Sequence, residues 1–344
     1  MNSTYIWILL PLSVAIILLL IMRWRTLAAI IAAATALILG VLAAWLPGQE
    51  QLVFWQWVIP YADTLNFFGR QLELSTGDRP TLMVLYLTAA MWFAAVPLAR
   101  PTRLFVPFGM AIVAILTAAI AVEPFLFAAV FIEIAVLLSI PILAPPGMAA
   151  SRGVLRYLTF LTLGIPFVLI SGYLFTGFEA GPGDTVFVAI AISMITIGFA
   201  LLLAVFPFHT WVPMLAEEAH PYPAAFIFFL MPAASLLLGL GFLDSYAWMQ
   251  ENSNTVFLLQ VTGAMMIVTS GVWAAVERNL FRLVGFAVIL DIGFSLLAIS
   301  LAIGSDQITF RILFFAGLLV RGLSLGVLAL AMSALVGRIV RFQF

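Results

Sequence analysis

The apolar positions of this chain come in long continuous runs separated by short polar intervals. A bilayer core of ~30 Å takes about 20 apolar residues at 1.5 Å of helical rise each. That ruler marks eleven runs, at 5–22, 27–46, 81–98, 103–121, 124–145, 154–176, 185–206, 222–243, 255–275, 281–303 and 309–335. They do not alternate with a period of two, so they predict membrane-spanning helices and not the strands of a barrel. The first run, Tyr5 to Met22, has no basic stretch before it and no small-residue cleavage site after it. It reads as a retained helix and not as a leader. The fold class is therefore all-α transmembrane, with about 11 helices.

The polar intervals orient the runs. All 14 basic residues are Arg. On one side of the alternating helices lie Arg23 and Arg25, Arg100 and Arg103, Arg152 and Arg156, Arg278 and Arg282, and Arg338 and Arg341. The other side holds only Arg70, Arg79 and Arg311. Positive charge collects on the inner side of membranes, so the split predicts an outer N-terminus and an inner C-terminus. One long interval, 47–80, is expected on the outer surface, where Trp55, Trp57 and Tyr61 suit an interfacial aromatic belt or simply anchor the loop. Three regions follow: 1–98 with helices 1–3 and the external loop, 99–243 with helices 4–8, and 244–344 with helices 9–11.

Composition narrows the chemistry. A hydrophobic fraction of 65% with only 8% charged residues leaves too little polar surface to coat a water-soluble globule. The net charge of −1 gives no basis for a nucleic-acid partner. Cysteine is absent, which excludes disulfides, thiolate metal sites and iron–sulfur ligation in this chain. Two histidines are too few for a buried haem pair. Any redox chemistry belongs to a partner.

Ionisable groups inside apolar runs are costly, about 2.5–3.5 kcal/mol at mid-helix on insertion scales, and usually face protein. Glu133 sits in FAAVFIEIAVLLSIPIL, Asp291 in VGFAVILDIGFSLLAIS and Arg321 in FFAGLLVRGLSLGVLAL. A carboxyl removed from water favours its neutral form, the property a proton carrier needs. Glu133 is thus either a proton-transfer group or a protonated side chain bonded to a neighbouring helix. Asp291 and Arg321 are either an ion pair that sets helix register or part of an ion path. Arg keeps its charge at any accessible pH and can only tune a neighbour. The stretch FPFHTWVPMLAEEAHPYPAA (206–225) places Pro207, Pro213, Pro221 and Pro223 around His209, Glu217, Glu218 and His220. Repeated prolines break a helix, and broken membrane helices frame ion sites in transporters. The plainer reading is an inner loop with solvated charges. The four titratable groups lack a recognised zinc spacing, so no metal site is assigned.

FPFHTWVP followed by AEEAHPYPAA resembles the broken-helix motif of the antiporter-like subunits. These belong to respiratory NADH:quinone oxidoreductase (complex I), membrane-bound hydrogenases and multisubunit sodium/proton antiporters. FIEIAVLLSIPIL (131–143) is similar to that family's fifth helix, with Glu133 on its Glu. GVLRYLTFLTLG (153–164) resembles the start of the sixth. ERNLFRLVGFAVILDIGFSLLAI (277–299) resembles the tenth, with Asp291 in place of Gln, and LLVRGLSLGVLAL (318–330) the eleventh, with Arg321 on its Lys. The resemblance covers roughly 70–335.

It implies an antiporter-like fold with one broken helix near 206–221 and an incomplete second inverted repeat. It further implies a non-redox membrane subunit of a proton-translocating or cation/proton-exchanging complex. Glu133, Asp291, His209, Glu217, Glu218 and His220 are then the proton-transfer candidates and Arg321 the charge-tuning group. Quinone, NADH, flavin and iron–sulfur clusters are expected only on partner subunits. The partners expected are other membrane subunits and the lipids around them, in an energy-transducing membrane such as the bacterial or archaeal cytoplasmic membrane. Two departures stand out. The family's helix-seven Lys falls near Leu202, and 185–206 holds no ionisable residue. Phe229 stands where helix eight usually carries His or Lys. Helix seven therefore supplies no cation for Glu133, and a non-conducting docking subunit is the alternative.

Overall fold

Each of the eleven apolar runs is helical in the computed structural model, which describes residues 3–45, 51–54, 57–60, 65–67, 70–74, 76–147, 149–179, 185–251, 253–303 and 307–342. The helices are α1 (Ser3–Leu20), α2 (Arg25–Trp45), α3 (Arg79–Ala94), α4 (Val96–Ala99), α5 (Phe105–Ala121), α6 (Ala128–Leu143) and α7 (Arg152–Glu179). They continue with α8 (Thr185–Leu202), α9 (Trp211–Glu218), α10 (Pro221–Ser245), α11 (Ala247–Glu251), α12 (Ser253–Val276), α13 (Leu280–Ala302) and α14 (Gln307–Phe342). Among the described residues seven helices are long and apolar enough to cross a membrane, and three further apolar helices are shorter.

Two departures from the expected boundaries have local causes. The run expected as 81–98 is split into α3 and α4, because Pro97 lacks an N–H and its ring crowds the preceding turn. The run expected to reach 206 stops at Leu202, where the backbone turns left-handed at Ala204 (φ 53°). The long interval between α2 and α3 adds short strands the apolar pattern did not reveal. β1 (Gln51–Phe54) pairs antiparallel with β2 (Trp57–Pro60), and β3 (Leu65–Phe67) with β4 (Arg70–Leu72). β4 also pairs with β5 (Val122–Glu123), which ties this interval to the end of α5. The expected aromatic belt involves Trp55 and Tyr61, which lie outside the described residues.

The chain forms two compact units. The first is Met1–Met148, His220–Phe229 and Ile312–Phe344, and the second is Ala149–Ala219 and Leu230–Arg311. The first is built around five fully buried rings, Trp92, Phe93, Phe105, Tyr222 and Phe226, whose centroids stand 4.8 to 6.3 Å apart. Buried phenols need a partner. Tyr222 donates its hydroxyl to the Trp92 carbonyl at 2.5 Å. Tyr86 donates to the Trp7 carbonyl at 2.5 Å and accepts from Thr117 at 3.0 Å, which ties α1, α3 and α5 together.

The second unit packs through small residues. Helices in lipid gain little from apolar burial, so close backbone approach carries more of their association. α12 crosses α13 at Gly263 and Gly293, where a Cβ on Gly263 would stand 2.8 Å from the Gly293 carbonyl oxygen. Gly271, on the same helix, has nothing within 4 Å of that position. The two glycines should therefore respond oppositely to alanine. Gly271→Ala should gain up to about 1 kcal/mol from helix propensity. Gly263→Ala should lose roughly 1–3 kcal/mol because backbone blocks the new methyl. Thermal unfolding of the two variants in detergent checks the sign of each.

Candidate functional site

The break in the apolar pattern is a break in the structure. After α8 the Val205 N–H donates to the Ala200 carbonyl at 2.9 Å and the Ala204 N–H to Leu201 at 3.5 Å. This is the paired closure that commonly ends helices, with Ala204 in the left-handed position usually given to glycine. Phe208 then donates to the Val205 carbonyl at 2.6 Å, a short turn spans Phe208–Thr210, and α9 runs for 8 residues. Ala219 is extended before α10 begins at Pro221.

His209 lies in this break. It is 9% exposed, stacked on Phe206 with centroids 5.5 Å apart, and its Nδ1 is buried with no hydrogen-bond partner among the described residues. Burial lowers its pKa below the usual imidazole value. His220, half-buried, is lowered by the same cause. Its Nδ1 accepts the Tyr222 N–H at 3.3 Å, an arrangement open only to an unprotonated Nδ1.

Glu217 and Glu218 end α9 as clamps. Glu218 Oε2 accepts the Gly153 N–H at 2.6 Å, in the first turn of α7, where a helix N-terminus favours negative charge. Glu217 Oε1 accepts from Asn279 Nδ2 at 2.8 Å, and its Oε2 stands 3.7 Å from Arg282 Nε. Both side chains of that ion pair are about two-fifths exposed, so it contributes little, ~0–1 kcal/mol. Glu277 accepts the Asn279 and Arg278 N–H groups and lies 3.3 Å from Arg282 Nε. The Asn279 N–H and then the Arg278 N–H, helped by the Arg282 charge, hold its carboxyl below the usual range despite some desolvation. Asn279 caps α13 by accepting from Phe281 at 2.9 Å.

α9 lies against both α7 and α13. A Cβ at Gly285 would meet Pro213 Cα at 2.6 Å, and one at Gly153 would meet the Leu215 nitrogen at 2.7 Å. Sequence reasoning missed Asn279, Glu277, Arg282, Gly153 and Gly285 as parts of this arrangement. The acid and amide immediately before the 281–303 run are a helix-start signature that could have found Asn279.

The remaining candidates lie elsewhere. Glu133 is half-buried on α6, between a buried seam (Ala129, Ile132, Val136) and an exposed one (Val130, Ile134, Leu137). Glu133, His220 and Arg321 belong to the first unit; His209, Glu217, Glu218 and Asp291 belong to the second. Asp291 and Arg321 are each half-buried, on α13 and α14. Among the described residues no three His, Cys, Asp or Glu side chains are grouped so as to hold a metal ion.

Two outcomes follow from the break. Ala204→Gly should stabilise the chain by about 1 kcal/mol, since a Cβ disfavours the left-handed conformation; chemical denaturation measures it. The lowered imidazole pKa values mean that the unfolded chain binds more protons than the folded one below pH ~6.5. Stability from these groups is full above that range and is lost as pH falls through it. The unfolding temperature should drop between pH about 7.5 and about 5, and less steeply in His209→Phe.

NADH-quinone oxidoreductase subunit N of Ectopseudomonas mendocina (strain ymp) is 29% identical over 136 residues, covering 37% of this chain and 26% of that protein. Subunit N of Orientia tsutsugamushi (strain Ikeda) is 26% identical over 159 residues, 45% of this chain and 32% of that protein. The matches thus span about a quarter to a third of these relatives. In fold, the chain is similar to one in the Mrp complex from Dietzia sp. DQ12-45-1b, with TM-score 0.76, 18% identity, 96% of this chain and 64% of that one covered. A chain of respiratory complex I from Thermus thermophilus with bound NADH matches at TM-score 0.69 and 20% identity, with 97% and 71% covered. The profile described as NADH:quinone oxidoreductase/Mrp antiporter, TM matches residues 160–336, just over half of the sequence and the whole of the α8–α9 break. The chain therefore belongs to the NADH:quinone oxidoreductase/Mrp antiporter transmembrane family.

Proposed function

We propose that this chain is a non-redox membrane subunit of a proton-translocating or cation/proton-exchanging complex related to complex I, and that it contributes part of the ion path. The observation that carries this reading is the interruption of an apolar helix at 203–210, with the neutral, buried ring of His209 held in it. Non-helical backbone beside a membrane helix is tolerated where protein or a water-lined cavity covers it. Glu133 is the carboxyl of the path, and Asp291 with Arg321 continues it. Donor, acceptor and their cofactors reside on partner subunits. The complex works in an energy-transducing membrane such as the bacterial or archaeal cytoplasmic membrane. The inner placement of the paired arginines and the division at 98 and 243 belong to the same proposal.

A second reading, a non-conducting docking subunit, has one specific observation in its favour. Residues 185–202 carry no ionisable side chain, and Leu202, near which the resemblance puts the family's Lys, is buried. The exposed seam of Val130, Ile134 and Leu137 then serves lateral assembly.

The test is proton uptake by the reconstituted complex, followed with a pH-sensitive dye. Glu133→Gln should cut the rate about tenfold or more while the subunit still assembles. A rate equal to the parent's removes Glu133 from the path and leaves the docking reading.

A further inference from the structure

Away from the break, the first unit holds a cavity of about 400 Å³ at the ends of its helices. Its walls include Arg25 at the start of α2, Arg100 and Pro101 just after α4, and Thr102 and Arg103 before α5. Three permanent positive charges line one concavity, and no carboxylate is among its lining residues. Among the described residues none of the three guanidinium groups makes an ion pair or hydrogen bond. Like charges repel, so gathering them without a counter-charge costs free energy unless an anion completes the set. The Thr102 hydroxyl oxygen is buried with no hydrogen-bond partner among the described residues.

Arg100 adds an independent sign. It sits in the left-handed region (φ 52°, ψ 48°) as the cap of α4, a position that favours glycine. Packing gives no return for an Arg there, since the residue is exposed. The surroundings identify the anion's carrier. The cavity lies where helices begin and end, and the sequence neighbours of its lining residues Arg25 and Pro97 include Trp24, 63% exposed, and Leu98, 71% exposed. An exposed aromatic ring and an exposed apolar side chain next to cationic lining residues suit a lipid.

We infer that this cavity binds the phosphate of an anionic phospholipid, with Arg25, Arg100 and Arg103 as its donors. Guanidinium groups match phosphate oxygens in paired hydrogen bonds, and basic pockets between membrane helices hold such headgroups. This proposal is independent of the ion path.

The test uses the full chain purified in mixed micelles of phosphatidylcholine and phosphatidylglycerol, with native mass spectrometry reading the lipid retained. Arg25→Gln, Arg100→Gln and Arg103→Gln should each weaken the preference for phosphatidylglycerol about fivefold. Arg278→Gln, outside the cavity, should leave it unchanged. Arg100→Gly suits the left-handed backbone, so it should unfold no sooner than the parent yet lose the preference equally. Variants that retain phosphatidylglycerol as the parent does overturn the proposal. So does inorganic phosphate, in phosphatidylcholine alone, raising the unfolding temperature as much as phosphatidylglycerol does, because the site would then serve a free anion.

Discussion

A bilayer core offers no water to backbone N–H and C=O groups, and the rest of the structure follows from that constraint. Continuous helices meet it without help. The chain departs from them at 203–210, and part of the loss is repaired locally. Val205, Ala204 and Phe208 return their N–H groups to carbonyls left behind by α8 and its turn. The repair places Ala204 in a conformation that a Cβ disfavours by about 1–2 kcal/mol. At 8 residues α9 is too short to persist as an isolated helix. It exists because Pro213 seats on Gly285, Leu215 seats on Gly153, and two carboxylates fasten its end to the starts of α7 and α13.

What the sequence made legible was whatever depends on one segment and its solvent. Eleven apolar runs became helices because length and hydropathy decide that locally. Prolines 207, 213 and 221 marked the break for the same reason. The hairpins of the 51–72 interval were not legible, because their pairing depends on turn geometry and on β5, some 50 residues away. Nor was the role of Glu218. Its partner is the backbone of Gly153, 65 residues earlier, and no pattern around either residue announces that bond. The His209 environment was half legible: its position in the break was plain, its stacking on Phe206 was not.

Charge is scarce here, at 8% of the residues, so the few charged groups carry much of the polar chemistry. With no lysine in the chain, every fixed cation is an arginine, permanently charged and unable to relay a proton. In the proposed ion path, proton transfer is therefore left to carboxylates and two imidazoles, with the arginines as fixed charges. Asp291 and Arg321 fit that division, one able to change its charge and the other not.

The clamps narrow the field further. Glu218 holds the first turn of α7 through a short charge-assisted bond, and Glu217 holds Asn279, which in turn caps α13. Charge-assisted bonds of this kind are roughly twice as strong as neutral ones, so neutralising either carboxylate weakens the hold on α9. His209 makes no such bond through Nδ1, which meets no described partner, and its ring stacks on Phe206. Glu217 and Glu218, with Asn279 at the start of α13, thus frame the break, and the His209 ring stacks on Phe206 within it.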